Sequence, residues 1–309
     1  MNDTTTIGPA PAPSPAAAVL RVGIVGIGAM GYAMATNLQD RGHAVCVRDV
    51  AAAPVEAART RGLQVCESAA ALAAQCDLVA VVVVDAAQVE DVLFGAGGIA
   101  EAAAAHRPAV MICSTIGASD VERFHARAAV HGIALLDAPI SGGPARAANG
   151  TMSMMLACAG ALRERCEPTL RQMAGTLFYV GETVGDGART KLVNNLLAGI
   201  NLVAGAEALA LGARLGLDKR ALFDVIRASS GASWIVGDRM ARALDGDYAP
   251  RARSVILTKD VGLAVQMADA AGIDTPLGDA ALRLFRDTVA AGYGELDDAA
   301  VIKSICPDF

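Results

Sequence analysis

The chain has 309 residues, 54% hydrophobic, 19% charged and 4% aromatic, with 26 basic against 32 acidic side chains and a formal net charge of −6. That length is enough for about two domains and a buried core without disulfide or metal staples, and the composition is far from that of a disordered chain. The pI near 5.3 and the lack of a Lys/Arg cluster exclude the basic footprint of a nucleic-acid binder.

Residues 1–18 are rich in Thr, Pro and Ala, without a basic or long apolar stretch. The segment 1–19 therefore reads as a disordered tail and not as a signal peptide. From residue 20 to about 179, short apolar runs at 22–25, 44–47, 78–84, 110–113, 134–136 and 153–156 alternate with alanine-rich helical segments. The helices are expected at 30–41, 51–61, 120–131 and 162–173. Such alternation predicts βαβ units forming a doubly wound, mostly parallel sheet. The valine-rich run at 78–84 suits a strand covered on both faces.

Beyond Gly187 the strand signal ends. Helices are expected at 188–215, 219–228, 254–271, 276–291 and 297–303, with Asp218 as an N-cap and Gly216 as a stop. The organisation read from the sequence is an α/β domain over 20–183 and an all-helical domain over 184–309, linked by a long helix. The stretch 196–213 is apolar, but Asn201, Glu207, Gly199, Gly205 and Gly212 interrupt it. It reads as a buried helix and not a membrane span. Cysteines 46, 66, 76, 113, 158, 166 and 306 form no C-x-x-C pair, and His43, His106, His125 and His131 form no H-E-x-x-H. A cytoplasmic protein with reduced core thiols and no metal is expected.

Gly26-Ile27-Gly28-Ala29-Met30-Gly31 places G-x-G-x-x-G between the first strand and the first helix. Gly26 suits the tight turn, Gly28 a close approach of backbone to pyrophosphate, and Gly31 close packing of helix on strand. The helix N-terminus offers N–H groups to the phosphates. Asp49, at the end of the second strand, stands where an acceptor for a ribose 2′-hydroxyl is expected. Its carboxylate would repel a 2′-phosphate, which favours NAD over NADP; Arg48 is assigned by strand alternation to the opposite face.

A second motif, Asp137-Ala-Pro-Ile-Ser141-Gly142-Gly143, follows a later strand. Ligands of open α/β sheets bind at such strand ends, and backbone N–H groups at two glycines with a serine hydroxyl suit a carboxylate. The third, Lys191-Leu-Val-Asn194-Asn195, opens the long apolar helix. Its polar residues share one face, and burying them costs energy unless something uses them. Burial lowers a lysine pKa from about 10.4 toward the range where proton exchange with an alcohol is efficient. Asn195 or Asn194 would hold the lysine or a substrate hydroxyl.

In this order, with Met30 inside the first motif and Ile140 inside the second, the three motifs resemble those of the β-hydroxyacid dehydrogenases (3-hydroxyisobutyrate dehydrogenase-like). The resemblance runs from about residue 20 to the C-terminus. It implies a Rossmann domain followed by an all-α domain, NAD as cofactor, a small carboxylate substrate, and a homodimer or homotetramer. It implies Lys191 as acid/base, with Ser141, Gly142, Gly143 and Asn195 around the substrate. It also implies Thr115 beside the nicotinamide and Lys259, of the pair Lys259-Asp260, on the cofactor. The family's Leu-Pro-Asn after the fourth strand is replaced by Val83-Val84-Asp85, so this cofactor-facing loop is expected to differ in shape.

Residues 85–95, Ser233-Trp234 and 295–303 are most similar to the L-threonate dehydrogenase branch. That implies a four-carbon polyhydroxy acid oxidised at C2. Chemistry on 3-hydroxyisobutyrate or tartronate semialdehyde at the same site is the alternative, and a non-catalytic NAD-binding scaffold the remote one. Trp234 is open to two readings, a border of the substrate or core packing.

Overall fold

The structure, a computed structural model, describes residues 20–102 and 108–309. The expected disordered tail and His106 lie outside them. The chain divides into two compact units between Lys191 and Leu192.

The first unit begins with β1 (Val22–Val25), α1 (Ala29–Asp40), β2 (Val45–Arg48), α2 (Ala52–Thr60), β3 (Gln64–Val65) and α3 (Ala69–Ala73). Next come β4 (Leu78–Val81), α4 (Ala86–Phe94), α5 (Ile99–Ala102), β5 (Ala109–Ile112) and α6 (Ala118–Val130). It continues through β6 (Ala134–Asp137), β7 (Ile140–Ser141), α7 (Gly143–Ala148), β8 (Met152–Ala157), α8 (Gly160–Met173) and β9 (Ala174–Gly181). The first turns of α9 (Asp186–Arg214) close the unit.

The strands form one sheet in the order β3-β2-β1-β4-β5-β6-β8-β7, with β9 also on β8. From β3 to β6 every pairing is parallel. Every residue of β1, β4 and β5 is buried, as in a sheet covered on both faces. The period of two sorts these side chains: Val22, Ile24, Leu78 and Met111 pack with Met34 and Leu38 of α1. Val25, Val79, Val110 and Ile112 pack with Leu72 of α3 and Phe124 of α6 on the other face. Phe124 is fully buried, a burial that contributes roughly 2–3 kcal/mol.

β6 and β7 run antiparallel to β8 in one continuous register, Asp137 opposite Ala157, Ile140 opposite Met154 and Ser141 opposite Ser153. The N–H of Met155 bridges the interruption by donating to the Pro139 carbonyl. The expected strand at 78–84 stops at Val81. There the backbone leaves the ladder, because Val83 and Val84 give their N–H groups to side chains.

In the second unit the remainder of α9 is followed by α10 (Lys219–Ala228), α11 (Trp234–Leu244), α12 (Ser254–Ala270), α13 (Pro276–Thr288) and α14 (Val301–Ile305). Asp218 caps α10 by accepting the Ala221 N–H at 2.7 Å, and Gly216, at φ +76°, ends α9. The helix expected to reach 291 changes at Thr288 into a π segment, Val289–Tyr293, that holds Gly292 at φ 88°. Leu202, Leu209, Phe223, Met240, Val261, Phe285 and Ile302 form the core. A Cβ on Gly199 would stand 2.6 Å from Val261, and one on Gly205 2.6 Å from Val236, so these glycines let α12 and α11 approach α9.

Within that core Arg242 pairs with Asp297 at 2.8 Å and Arg239 with Asp298 at 2.6 Å. The helix α9 is long and apolar enough to cross a membrane by length and composition; 44% of its apolar window is buried in the structure. All seven cysteines are buried, and no group of His, Cys, Asp or Glu among the described residues has the geometry of a metal site.

Candidate active site

The strand order reverses at β1 and β4, the switch point where open α/β sheets bind ligands. The three glycines of the first motif have three distinct surroundings. Gly26 has φ +89°, and a Cβ there would meet the Val82 carbonyl oxygen at 2.4 Å. A Cβ on Gly31 would lie 1.9 Å from the Gly26 oxygen, so α1 packs directly on the turn. No described atom lies within 4 Å of a Cβ built on Gly28. Tight backbone on both sides of one open position is the cradle a pyrophosphate requires, and these residues fit the cofactor.

Ile27 is buried in the core and Met30 packs against it, so both offer the cradle their backbone. Ala29 opens α1. Asp49 Oδ2 accepts the Ile27 N–H at 2.7 Å and Oδ1 the Ala51 N–H at 2.9 Å, which brings the carboxylate to the turn. The Arg48 guanidinium bonds the Asp49 carbonyl. Around β4, the Val83 N–H donates to Ser114 Oγ and the Val84 N–H to Gln88 Oε1, each at 2.9 Å. Thr115 follows Ser114 at the end of β5 and is half-buried.

Ser141 ends β7. Gly142 and Gly143 follow at φ +126° and +73°, a turn that residues with a Cβ make only under strain. Lys191 is 7% exposed. Asp137, at the end of β6, is 1% exposed, and its Oδ2 accepts the N–H groups of Gly185 at 2.9 Å and Ala188 at 3.0 Å. Burial pushes the Asp137 carboxyl up to about 6, against the pull of the Ala188, Gly185 and Gly187 N–H groups.

In the second unit Asn195 is 8% exposed, whereas Asn194 is exposed and donates to Asn195 Oδ1 at 3.2 Å. Asn195 Nδ2 donates to Asp260 Oδ2 at 2.7 Å, and Lys259 Nζ meets Asp260 Oδ1 at 2.7 Å. On α9, Lys191 and Asn195 are the buried polar pair one turn apart, which separates the two asparagines that spacing alone left equivalent. Trp234 opens α11 at 63% exposure with the Arg239 guanidinium 6.0 Å from its ring centroid, so core packing does not explain it.

Sequence reasoning passed over Asp137 and Asp260 as functional groups. Asp137 was visible only as the head of the second motif, and Asp260 only as the partner of Lys259. Ser114 carried no signal beyond its place before Thr115.

A glycine-cradled switch point in a parallel sheet, with a buried lysine near the head of a long helix, defines a dinucleotide-dependent α/β enzyme. Residues 21–181 match the family described as the NAD binding domain of 6-phosphogluconate dehydrogenase. Residues 185–305 match that described as the NAD-binding of NADP-dependent 3-hydroxyisobutyrate dehydrogenase. L-threonate dehydrogenase of Cupriavidus necator is 40% identical over 284 residues, covering 91% of this chain and 95% of that protein. That of Escherichia coli O6:H1 is 39% identical over 287 residues, covering 91% and 93%. The crystal structure of a 3-hydroxyisobutyrate dehydrogenase from Salmonella typhimurium superposes with a TM-score of 0.83 at 37% identity, covering 92% of this chain and 99% of that one. The chain belongs to the β-hydroxyacid dehydrogenase family, 3-hydroxyisobutyrate dehydrogenase-like. It is an NAD(P)-binding oxidoreductase of the hydroxy acid dehydrogenase class.

Proposed function

We propose that the enzyme oxidises L-threonate at C2 to the 2-oxo acid, reversibly, with Lys191 as the acid/base. The observation that carries the chemical part is the burial of Lys191, 7% exposed, on a helix face it shares with Asn195. The substrate part rests on similarity to the L-threonate dehydrogenases at 39–40% identity.

In this reading the turn from Gly26 to Gly31, with the backbone of Ile27, Ala29 and Met30, holds the pyrophosphate, and Asp49 accepts a ribose hydroxyl. Val83, Val84, Thr115 and Lys259 serve the remainder of the cofactor. NAD, when bound, supplies the hydride acceptor. Ser141, Gly142 and Gly143 grip the substrate carboxylate with backbone N–H groups and the serine hydroxyl. Lys191, uncharged, takes the proton of the C2 hydroxyl as hydride leaves C2; in the reverse direction its ammonium returns that proton to the forming alcohol. Asn195, oriented by Asp260, and Asn194 hydrogen-bond the substrate hydroxyls. The Asp49 carboxylate repels a 2′-phosphate, and Arg48 is engaged by the Asp49 carbonyl, which together favour NAD over NADP.

The second reading, 3-hydroxyisobutyrate or tartronate semialdehyde as substrate, is favoured by the likeness to the Salmonella typhimurium enzyme. A non-catalytic scaffold is disfavoured because Lys191 and the Ser141 turn are both present. A homodimer or homotetramer in the cytoplasm is part of the proposal, supported by the exposed apolar side chains Val193, Leu197 and Leu211 along α9.

One assay tests the substrate. Purified enzyme is given NAD or NADP with L-threonate, D-erythronate, glycerate and 3-hydroxyisobutyrate in turn, and reduced cofactor is followed. Activity on L-threonate with NAD is expected; activity on 3-hydroxyisobutyrate alone overturns the substrate and spares the family. Lys191→Ala should lose most of its turnover while still binding NAD, and near-normal turnover would remove the acid/base role.

A further inference from the structure

Asp137 is a buried carboxylate with no step of its own in the reaction above. It ends β6, in the strand that continues through β7 to Ser141 on the antiparallel register with β8. Its Oδ2 holds the N–H groups of Gly185 and Ala188, 48 and 51 residues further along the chain.

We propose that Asp137 is a positioning residue for Lys191: it anchors the first turn of α9 to the strand that carries Ser141, and so sets where the lysine amine stands relative to the Ser141-Gly142-Gly143 turn. The proposal rests on the reading of Lys191 as acid/base.

The contact is built on both sides. A Cβ on Gly187 would stand 2.8 Å from the Asp137 carboxyl carbon, so a side chain here would push strand end and helix apart. Lys191 follows Gly187 by four residues and Ala188 by three, which aligns all three on one helix face. Helical side chains lean toward the N-terminus, so Lys191 runs back over the turn that Asp137 grips.

Capping alone does not require this arrangement. Thr183 is exposed and Asp186 half-buried, and a local side chain of either type can cap a helix at a lower desolvation cost than a fully buried one. A carboxylate buried to 1% exposure is a costly cap, and burial holds its pKa at about 6 despite three N–H groups. What the buried cap adds is the link between the helix and the strand. Reacting groups displaced by about 1 Å lose on the order of a hundredfold in rate.

The test measures kcat at saturating acid and, by fluorescence titration, NAD affinity for Asp137→Ala, Asp137→Asn and Gly187→Ala, with Lys191→Ala alongside. Asp137→Ala and Gly187→Ala should each lower kcat by at least about tenfold while NAD affinity stays within about threefold. Asp137→Asn keeps an acceptor oxygen and should recover most of the lost rate. A folded Asp137→Ala or Gly187→Ala enzyme with kcat within about twofold of wild type overturns the proposal. So does a parallel fall of kcat and NAD affinity in either, the mark of a general loosening of the unit. Should Asp137→Ala fail to fold, Gly187→Ala decides by the same criteria. Retained turnover in Lys191→Ala overturns the acid/base reading, and the rates of the other three variants still report whether the anchor matters.

Discussion

The side-chain amide of Asn195 donates to the carboxylate of Asp260 at 2.7 Å, and the other oxygen of that carboxylate holds the Lys259 ammonium at the same distance. Asp260 is 4% exposed, so the carboxylate works where hydrogen bonds to charge are strong and their loss is costly. Asp260→Ala removes the acceptor from a buried amide and the anion from a half-buried ammonium. It should cost about 1–3 kcal/mol in urea denaturation and lower turnover, with Asp260→Asn losing less of each.

The glycines of the first motif separate folding from binding. Gly31→Ala forces a methyl into a space where the nearest atom is 1.9 Å away, and thermal unfolding should show clear destabilisation. Gly28→Ala meets no described atom within 4 Å, so its melting temperature should match wild type while NAD affinity falls by about tenfold or more. Equal melting temperatures with equal NAD affinity would contradict the assignment of Gly28 to the cofactor.

The Asp49 carboxylate accepts the Ile27 N–H, and in the proposed reading it serves the ribose end of the cradle. Asp49→Ala removes both that bond and the charge that repels a 2′-phosphate. NAD should bind about tenfold more weakly while NADP changes less, which narrows the preference measured by titration with each cofactor.

The Asp298 carboxyl is pushed up from 3.8 to about 7, chiefly by burial, with the Arg239 charge opposing. The folded state therefore binds this proton more tightly than the unfolded state. The stability contributed by the group is fully present below 3.8 and is lost as the pH rises toward about 7. Asp298→Asn cannot ionise. Denaturant titrations should find wild type losing stability relative to this variant between about pH 4 and 7, with a constant difference above.

Much of the first unit was legible because its signals are local. A strand buried on both faces must be apolar throughout, and a turn at positive φ over a helix start needs glycine, so the cradle could be placed from the run around Gly26 alone. The start of α10 followed from Asp218 in the same way. What stayed hidden depends on distant partners. The two residues of β7 have no periodicity to read, and their strand is defined by β8. Asp137 showed only as the head of the second motif because its N–H partners lie at Gly185 and Ala188. The backbone leaves β4 after Val81 although valine continues, since Ser114 and Gln88 capture the next N–H groups. The helix α11 was not read, and its start depends on Ser233 accepting the Val236 N–H.

The seven buried thiols have a practical consequence. A thiol reagent reaches a cysteine only when the surrounding structure opens, and only Cys306 lies in the second unit. Pulsed alkylation followed by peptide mass analysis therefore turns these side chains into clocks for the opening of each unit, without any engineered label. If NAD binds the glycine cradle, adding it should slow modification of Cys46, next to the β1 ladder, more than that of Cys306.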